Sequence, residues 1–241
     1  MMQNLITCIL VICQFFIVHH VAYADGIRLE QTRIIFESSA KNGVATVSND
    51  DNSPYLIQMG VTTQVDGGKT NLFAITPPLF RLNANSKFSA RIFLKDKNTL
   101  PSDRESIFYL NTRAIPSTSP SSEIAQNNAK LVFVTNIVIK LFYRPEGIQA
   151  PTEQTYRQVT LQEKGEEWLF NNPTKNYMTL INIKINNNAY QHSVLIAPFS
   201  QTKINRFSGY IERASWQMIN DFGGTTTTYH YSQPNNQVHS K

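Results

Sequence analysis

Residues 131–145 read LVFVTNIVIKLFYRP, an apolar run rich in β-branched residues that ends in an arginine and a proline. Side chains alternate between the two faces of a β-strand, so a strand with one face in water alternates apolar and polar residues. This run is largely apolar on both faces. One row consists of Leu131, Phe133, Thr135, Ile137 and Ile139, and the other of Val132, Val134, Asn136, Val138 and Lys140. At about 3.3 Å per residue the run spans roughly 45 Å, more than an ordinary strand. Both faces of this strand must therefore be buried against other apolar residues.

Two interpretations account for such a strand. It is either a central strand that is buried in its own sandwich, or a strand whose apolar surface is reserved for another chain. Long apolar edges promote aggregation unless a partner covers them. The remaining sequence has to decide between the two interpretations.

Residues 1–24 have the features of a secretory signal peptide. They contain no Lys, Arg, Asp or Glu, and an apolar block over residues 5–18 precedes the tripeptide Ala22-Tyr23-Ala24. A small residue, any residue and a second small residue form a typical cleavage site, which predicts Asp25 as the mature N-terminus. The alternative is a retained membrane anchor, but the apolar block is shorter than the ~20 residues of a membrane span. No second apolar span follows, so we expect no stable membrane insertion of the mature chain.

Cysteine usage and charge exclude several classes of function. Both cysteines, Cys8 and Cys13, lie inside the predicted leader, so the mature chain has no thiol for a disulfide, a zinc–thiolate site or nucleophilic catalysis. The net charge is +5, but the Lys and Arg residues are scattered. A nucleic-acid site normally needs a basic stripe, so we expect no nucleic-acid partner. The scattered positive charge is more compatible with an acidic protein as the binding partner.

The sequence predicts that the mature chain is all-β and consists of two domains. Short strand-like runs separated by turn residues are typical of immunoglobulin-like sandwiches. We predict strands at 27–37, 43–49, 55–65, 73–82, 87–94, 106–115 and 131–144, and, after a linker at 148–155, at 157–161, 167–171, 177–185, 193–197, 202–207, 210–219 and 225–231. This pattern predicts an N-terminal domain over residues 25–147 and a C-terminal domain over residues 148–241.

Catalytic and metal-binding motifs are missing from the sequence. The three histidines of the mature chain, His192, His230 and His239, have no metal-ligand spacing. The two Gly-Gly pairs lack the frame of a phosphate-binding loop, and no GxSxG nucleophile motif occurs. We therefore expect neither an enzyme, a metal site nor a cofactor.

Eight segments match one protein family in the family's own order. They are TRIIF (32–36), SPYL (53–56), TPP (76–78), DRESIFYLN (103–111), RAIP (113–116), IKLFYRP (139–145), NPT (172–174) and INDFGG (219–224). They are distributed over nearly the whole mature chain, from residue 32 to residue 224. DRESIFYLN and IKLFYRP are specific motifs, whereas NPT alone is a weak one. The sequence thus resembles the PapD-like family of periplasmic pilus (fimbrial) assembly chaperones.

This resemblance implies two immunoglobulin-like domains set as a boomerang, with the working cleft between them. Such chaperones bind pilus subunits whose own sandwich lacks its last strand, lend a strand to the gap, and hand the subunit to an outer-membrane usher. Residues 131–139 match the lent strand. The resemblance assigns the donated positions to Leu131, Phe133, Thr135 and Ile137, although Thr135 replaces a large apolar residue and the choice of row stays open. The opposite row is then expected to pack inside the domain.

Two sets of charged residues match family positions. Arg33 and Lys140 correspond to the two cleft cations that grip the C-terminal carboxylate of the subunit. A carboxylate accepts charge-assisted hydrogen bonds, and each subunit has a single C-terminus, so such a grip would fix the register of the lent strand. Glu105, Arg144 and Asp221 correspond to an ion network that joins the two domains.

The competing hypothesis is a secreted immunoglobulin-like adhesin or a structural pilus component. A pilus subunit would lack its closing strand and would carry a donor extension at its N-terminus, whereas here a strand follows the predicted cleavage site almost at once. Within the chaperone family, the loop 116–130 is longer than short-loop members usually have, but long-loop members typically carry a flanking cysteine pair, which is absent here. We therefore expect the short-loop class.

Overall fold

Strands dominate both halves of the chain in the computed structural model, which describes residues 26–117, 133–204, 207 and 209–233. Over these residues the chain forms eighteen strands and one short helix, arranged as two sandwiches with separate apolar cores. The all-β class predicted from the sequence is confirmed. The described helix is not long or apolar enough to cross a membrane.

The first sandwich packs a four-stranded sheet against a larger one. The four-stranded sheet has the order β1-β3-β8-β6, and the other has the order β2-β10-β9-β4-β5, with β7 paired to β4. The strands are β1 (Ile27–Leu29), β2 (Arg33–Glu37), β3 (Gly43–Asn49), β4 (Tyr55–Gln64), β5 (Gly67–Lys69), β6 (Phe73–Thr76), β7 (Leu79–Leu82), β8 (Ser86–Leu94), β9 (Ser106–Pro116) and β10 (Thr135–Arg144).

Two strands expected from the sequence are each divided between the two sheets. The run 27–37 breaks into β1, which pairs with β3, and β2, which runs parallel to β10 in the opposite sheet. The run 73–82 breaks at Pro77 and Pro78 into β6 and β7, which also lie in different sheets. Proline cannot donate a hydrogen bond to a sheet, so the second break has a local cause. In both cases one apolar run contributes a strand to each of the two sheets that enclose the core.

The side chains of strand β10 are exposed at its N-terminal end and buried at its C-terminal end. Its register places Ile139 opposite Leu110 of β9, and Leu141 and Tyr143 belong to the same buried cluster as Leu110. Phe133 lies in the same row, two residues before the strand begins, and its side chain is 77% exposed. Leu131 and most of the loop 116–130 lie outside the described residues. The odd-numbered row is therefore continuous with the core of the first sandwich.

The expectation that the opposite row packs inside the first sandwich is wrong. The even-numbered side chains Lys140 and Phe142 lie on the other face of the sheet, next to Arg33 of β2. Both rows are apolar enough to be buried, so alternation alone did not identify the face that meets the core.

The second sandwich is smaller. A three-stranded sheet of order β11-β12-β16 faces a sheet of order β14-β13-β17-β18, with β15 paired to β13. The strands are β11 (Thr160–Lys164), β12 (Glu167–Asn172), β13 (Met178–Ile185), β14 (Asn188–Ala189), β15 (Val194–Ile196), β16 (Ser200–Lys203), β17 (Arg213–Met218) and β18 (Tyr229–Ser232). Phe170 packs edge-on against Trp216 in its core, with ring centroids 5.2 Å apart.

A short helix begins inside the segment 148–155 that was expected to be a linker. Helix α1 (Glu153–Tyr156) begins at a capping box in which Thr152 and Thr155 satisfy each other's backbone N–H groups. Tyr156 is buried in the second core. The connection is therefore ordered at its C-terminal end and belongs to the second sandwich there.

Candidate functional site

Arg33 and Lys140 are direct neighbours on the face of the sheet that looks toward the second sandwich. Strands β2 and β10 run parallel, with Arg33 opposite Lys140. The Arg33 guanidinium carbon lies 5.7 Å from the ring centroid of Phe142, and Nη1 donates a hydrogen bond of 3.2 Å to the carbonyl of Ile219 in the second sandwich. The two cations therefore lie where the sandwiches meet.

Neither cation has an anionic partner among the described residues. Both side chains are half-buried, and no ion pair of the described chain includes either of them. The buried Nε of Arg33 also has no hydrogen-bond partner there. Burial lowers the pKa of Arg33, and burial followed by the nearby Arg33 charge lowers the pKa of Lys140. Two adjacent, partly desolvated cations with an unpaired donor form a suitable site for an anion, such as a carboxylate.

The structure brings Glu105, Arg144 and Asp221 together around one buried guanidinium. Arg144 is 2% exposed; its Nε donates to Glu105 at 2.7 Å and its Nη1 to Asp221 at 2.8 Å. Nη1 also donates to Glu37 at 3.0 Å. Burial alone would lower the pKa of Arg144, but hydrogen bonds and charge from Asp221 and Glu105 raise it overall. Asp221 belongs to the second sandwich, so this network joins the two halves.

Sequence reasoning did not identify Glu37 as a member of the network. Glu37 ends β2, and the parallel register places it opposite Arg144. From the sequence alone, an acidic residue at the end of a strand is expected to be exposed to solvent. Only the pairing of β2 with β10 would have indicated that Glu37 contacts Arg144, and this pairing joins segments that are far apart in sequence.

Glu105 also binds the second sandwich directly. Its Oε1 accepts a hydrogen bond from Asn176 Nδ2 at 3.0 Å, and its Oε2 accepts one from the backbone N–H of Tyr177 at 2.8 Å. The same Asn176 amide donates to the carbonyl of Gln149 at 3.1 Å, in the connection between the sandwiches. Asn176, which sequence reasoning also missed, therefore links both sandwiches and their connection.

The NPT segment shapes the loop that carries Asn176. Asn172 Oδ1 accepts hydrogen bonds from the backbone N–H of Thr174 at 3.0 Å and from its hydroxyl at 2.7 Å. Asn172 Nδ2 donates to the carbonyl of Asn176 at 2.8 Å. All three side chains are buried. A motif that is weak on its own thus holds the loop in the conformation that reaches Glu105.

A further contact joins the two sandwiches through Phe199. The guanidinium carbon of Arg104 lies 4.9 Å from the ring centroid of Phe199, and Asp103 holds Arg104 through hydrogen bonds of 3.0 and 2.7 Å. Phe199 has a φ of +53°, which is unusual for an aromatic residue. Its N–H donates to the carbonyl of Thr174 at 3.1 Å. This contact adds a cation–π interaction to the ion network.

One edge of β10 has no strand beside it among the described residues. On one side, β9 pairs with β10 from Thr135 to Tyr143; on the other, β2 pairs only from Lys140 to Arg144. The backbone from Thr135 to Ile139 therefore presents an open edge that begins directly beside the Arg33–Lys140 pair. Along this segment Thr135 is exposed and Ile137 is half-buried. A free edge of this kind accepts an additional strand from another chain.

Comparison with known proteins identifies the family. Residues 26–149 match the N-terminal domain of PapD, described as a pili and flagellar-assembly chaperone, and residues 154–230 match the C-terminal domain of the pili assembly chaperone PapD. The chain belongs to the PapD family of pilus-assembly chaperones. This result favours the chaperone hypothesis over a structural pilus component or an adhesin, since both halves match chaperone domains.

Relatives and solved structures agree with this family. The chain is 32% identical over 202 residues to the chaperone protein FimC of Escherichia coli K12, which covers 83% of this chain and 82% of FimC. It is 31% identical over 213 residues to HifB of Haemophilus influenzae, which covers 84% and 86% of the two chains.

Among solved structures, a chain in the complex of Salmonella enterica SafA pilin with the SafB chaperone superposes with a TM-score of 0.76 at 27% identity, covering 88% of this chain and 98% of the other. The E. coli chaperone DraB superposes with a TM-score of 0.73 at 27% identity, covering 86% and 96%. These superpositions span more than either sandwich alone, so the two-domain fold is shared. In the described part of this chaperone, no cluster of His, Cys, Asp and Glu side chains has the arrangement of a metal site.

Replacing Arg144 with Ala should destabilise the chaperone by about 3–5 kcal/mol, because the buried Glu105 carboxylate loses its counter-charge. The matched control is Arg157→Ala, which removes an exposed arginine that pairs with Glu153 four residues earlier and should cost at most about 0.5 kcal/mol. Urea unfolding of both variants measures the difference. Equal losses of stability in the two variants would contradict the role of the buried network.

Proposed function

We propose that this protein is a periplasmic chaperone that captures pilus subunits by donating residues 131–139 as a strand, caps them, and delivers them to an outer-membrane usher. The observation that carries the proposal is the open edge of β10, which begins beside two cations that have no anionic partner among the described residues. The proposed cycle needs no nucleotide and no metal, since strand pairing and apolar burial supply the binding energy.

Backbone hydrogen bonds along the open edge would provide affinity that depends little on subunit sequence. Five residues, Thr135 to Ile139, have no second neighbouring strand in the described part of the chain, and residues 131–134 precede them in sequence. A subunit that lacks its last strand has a matching edge and an exposed apolar groove. Strand pairing would therefore satisfy the free backbone groups of both proteins and bury the apolar groove of the subunit.

The odd-numbered row is the better candidate for filling the groove of the subunit. Its described members Phe133, Thr135 and Ile137 alternate in register with the buried Leu141 and so face the same side of the sheet as the core of the first sandwich, and Leu131 belongs to the same row of the sequence. A subunit added at this edge would thus extend that core as a continuous apolar layer. The opposite row offers Val134, which is 48% exposed, but then the polar Asn136.

Arg33 and Lys140 are proposed to bind the C-terminal carboxylate of the subunit. Lys140 is seven residues from Phe133, which corresponds to roughly 23 Å of extended chain. A carboxylate held at Lys140 would therefore determine which subunit residues lie opposite Phe133. The pair acts as a register pin, since only one group in each subunit fits it.

The network of Glu105, Arg144 and Asp221 is proposed to set the angle between the domains. Asp221 follows Ile219 by two residues, and the Ile219 carbonyl accepts the hydrogen bond from Arg33. Fixing Asp221 on Arg144 therefore also fixes the position of the second sandwich beside the carboxylate site.

A pilin as the bound partner is supported by the SafA–SafB complex, in which a chaperone is bound to a pilin. Another structure of similar fold, at 29% identity, is that of SfaE, a periplasmic chaperone. We propose the same compartment for this protein, reached through cleavage of residues 1–24.

N-terminal sequencing of the protein from a periplasmic fraction should begin at Asp25, because Ala22 and Ala24 form the cleavage site. Recovery of the full-length chain from the inner membrane would contradict the proposed export.

Arg33→Ala or Lys140→Ala should reduce the affinity for the C-terminal peptide of a co-purified pilus subunit by about 10- to 100-fold, since hydrogen bonds to charged groups contribute roughly 1.5–3 kcal/mol. Amidation of the peptide C-terminus should weaken binding to the wild type by a similar factor but barely affect the variants. Arg91→Ala, which removes an exposed arginine of β8, is the control. If amidation leaves wild-type affinity unchanged, the carboxylate grip is wrong.

Phe133→Ala should leave the melting temperature within a few degrees of the wild type but weaken subunit capture by about 10- to 100-fold, because burying the ring in a subunit groove contributes roughly 1.5–3 kcal/mol. Leu141→Ala is the contrasting variant in the same row. It should cost about 2–5 kcal/mol of folding, since Leu141 is buried in the core. A large stability loss in Phe133→Ala, measured by thermal unfolding, would assign Phe133 to the core and favour the even-numbered row as donor.

A further inference from the structure

The second sandwich contributes a backbone group that holds one of the two cations in place. The Ile219 carbonyl accepts the 3.2 Å hydrogen bond from Nη1 of Arg33, while the Phe142 ring centroid lies 5.7 Å from the guanidinium carbon. An arginine side chain has many rotamers, and ordering it when a ligand binds costs conformational entropy. A guanidinium that is already held in place therefore binds an anion more tightly than a free one.

Ile219 is itself fixed by the sheet of the second sandwich. Its N–H donates to the carbonyl of Thr179 in β13 at 3.0 Å, and an isolated antiparallel bridge with Thr225 closes a hairpin. Within this hairpin, the side chain of Asn220 accepts hydrogen bonds from two backbone N–H groups, at 3.0 and 2.9 Å. The Ile219 hairpin is thus ordered, and its carbonyl reaches Arg33 only when the whole hairpin lies close to β2.

Gly223 in the Ile219 hairpin lies against the residue that precedes Arg33. A Cβ atom at Gly223 would overlap Oγ1 of Thr32, whereas the Cβ of Thr32 would be 3.6 Å away, an ordinary van der Waals separation. Gly223 also has a φ of +84°, which residues with a side chain rarely adopt. The absence of a side chain at position 223 is therefore what lets the hairpin approach the first sandwich so closely.

We propose that Gly223 is a positioning residue of the carboxylate site, because its close approach to Thr32 lets the Ile219 carbonyl hold the Arg33 guanidinium ready for the anion. This inference rests on the proposed function, since the anion is the C-terminal carboxylate of the subunit. Gly223 does not touch the carboxylate and acts through Ile219 and Arg33. A larger residue at position 223 moves the hairpin away from β2, and the guanidinium must then be ordered when the subunit binds.

The test compares the C-terminal peptide of a co-purified pilus subunit with a free and with an amidated C-terminus. The wild type should bind the free peptide at least about tenfold more tightly, because a charged group contributes to its hydrogen bonds. Gly223→Ala should reduce this ratio by about threefold or more, but should leave the affinity for the amidated peptide within about twofold of the wild type. A general structural defect would instead weaken the binding of both peptides alike.

Gly165→Ala is the matched control for backbone strain. Gly165 also has a positive φ, +64°, but a Cβ atom there would meet no other atom within 4 Å. This variant shares the strain of an alanine in the left-handed region without the overlap, so its ratio should equal that of the wild type.

Thr32→Ala tests the contact itself. It removes the hydroxyl that a side chain at position 223 would overlap, so the double variant Thr32→Ala/Gly223→Ala should regain a ratio within about twofold of the wild type. If the double variant loses as much as Gly223→Ala alone, the contact with Thr32 is not the cause and the proposed role of Gly223 is overturned.

Thr32→Ile enlarges the same contact from the side of the first sandwich and leaves the glycine in place. It should also reduce the ratio, and it carries the test if thermal unfolding shows that Gly223→Ala does not fold. An unchanged ratio in either folded variant, beside a wild type that discriminates, would overturn the role of Gly223 and leave the carboxylate site standing. If the wild type does not discriminate against amidation, the carboxylate site itself is wrong and this inference falls with it.

Discussion

Under the proposed function, the buried guanidinium of Arg144 is the constraint on which the arrangement of the two sandwiches depends. A charge in the protein interior is costly unless carboxylates and hydrogen bonds replace the lost water. Two of the carboxylates, Glu37 and Glu105, come from the first sandwich, and Asp221 comes from the second. The first sandwich alone therefore does not supply all of the carboxylates that bind the Arg144 guanidinium. Such a network adds little net stability compared with an apolar core, and we propose that it favours one relative position of the domains over others.

Strand β10 connects this constraint to the proposed binding site. Arg144 ends the strand at the junction, Leu141 sits in the core, and Lys140 stands beside Arg33 at the start of the open edge. Any movement of the second sandwich would displace Ile219 from Arg33 and Asp221 from Arg144 together, because two residues separate these contacts in sequence. The ion network and the cation pair are thus linked through the same segment of the second sandwich, although among the described residues only the ion network contains neutralising carboxylates.

Sequence motifs predicted much of this arrangement, and the failures have physical causes. DRESIFYLN and IKLFYRP carry Glu105, Lys140 and Arg144, so the resemblance placed these residues before their contacts were known. Asn176 was missed because its role requires the fold of the preceding loop, and Glu37 because its role requires the parallel pairing of β2 with β10. These are long-range contacts that no local pattern reports. The inward face of β10 was assigned wrongly because both of its rows are apolar.

Under the proposed function, Arg33 and Lys140 also explain how the protein can keep an open, partly apolar strand edge without pairing with unrelated strands. Charged residues at an exposed edge discourage pairing by other chains, since an incoming strand would have to desolvate them without compensation. Burial lowers the pKa of both Arg33 and Lys140, and the nearby charge of Arg33 repels the Lys140 charge and lowers the pKa of Lys140 further. A strand that ends in a carboxylate beside them relieves this repulsion, whereas the interior of another polypeptide does not. Under the proposed function, the same two charges therefore admit a chain terminus and reject most other strands, and the apolar row beyond them adds affinity only after that selection has been made.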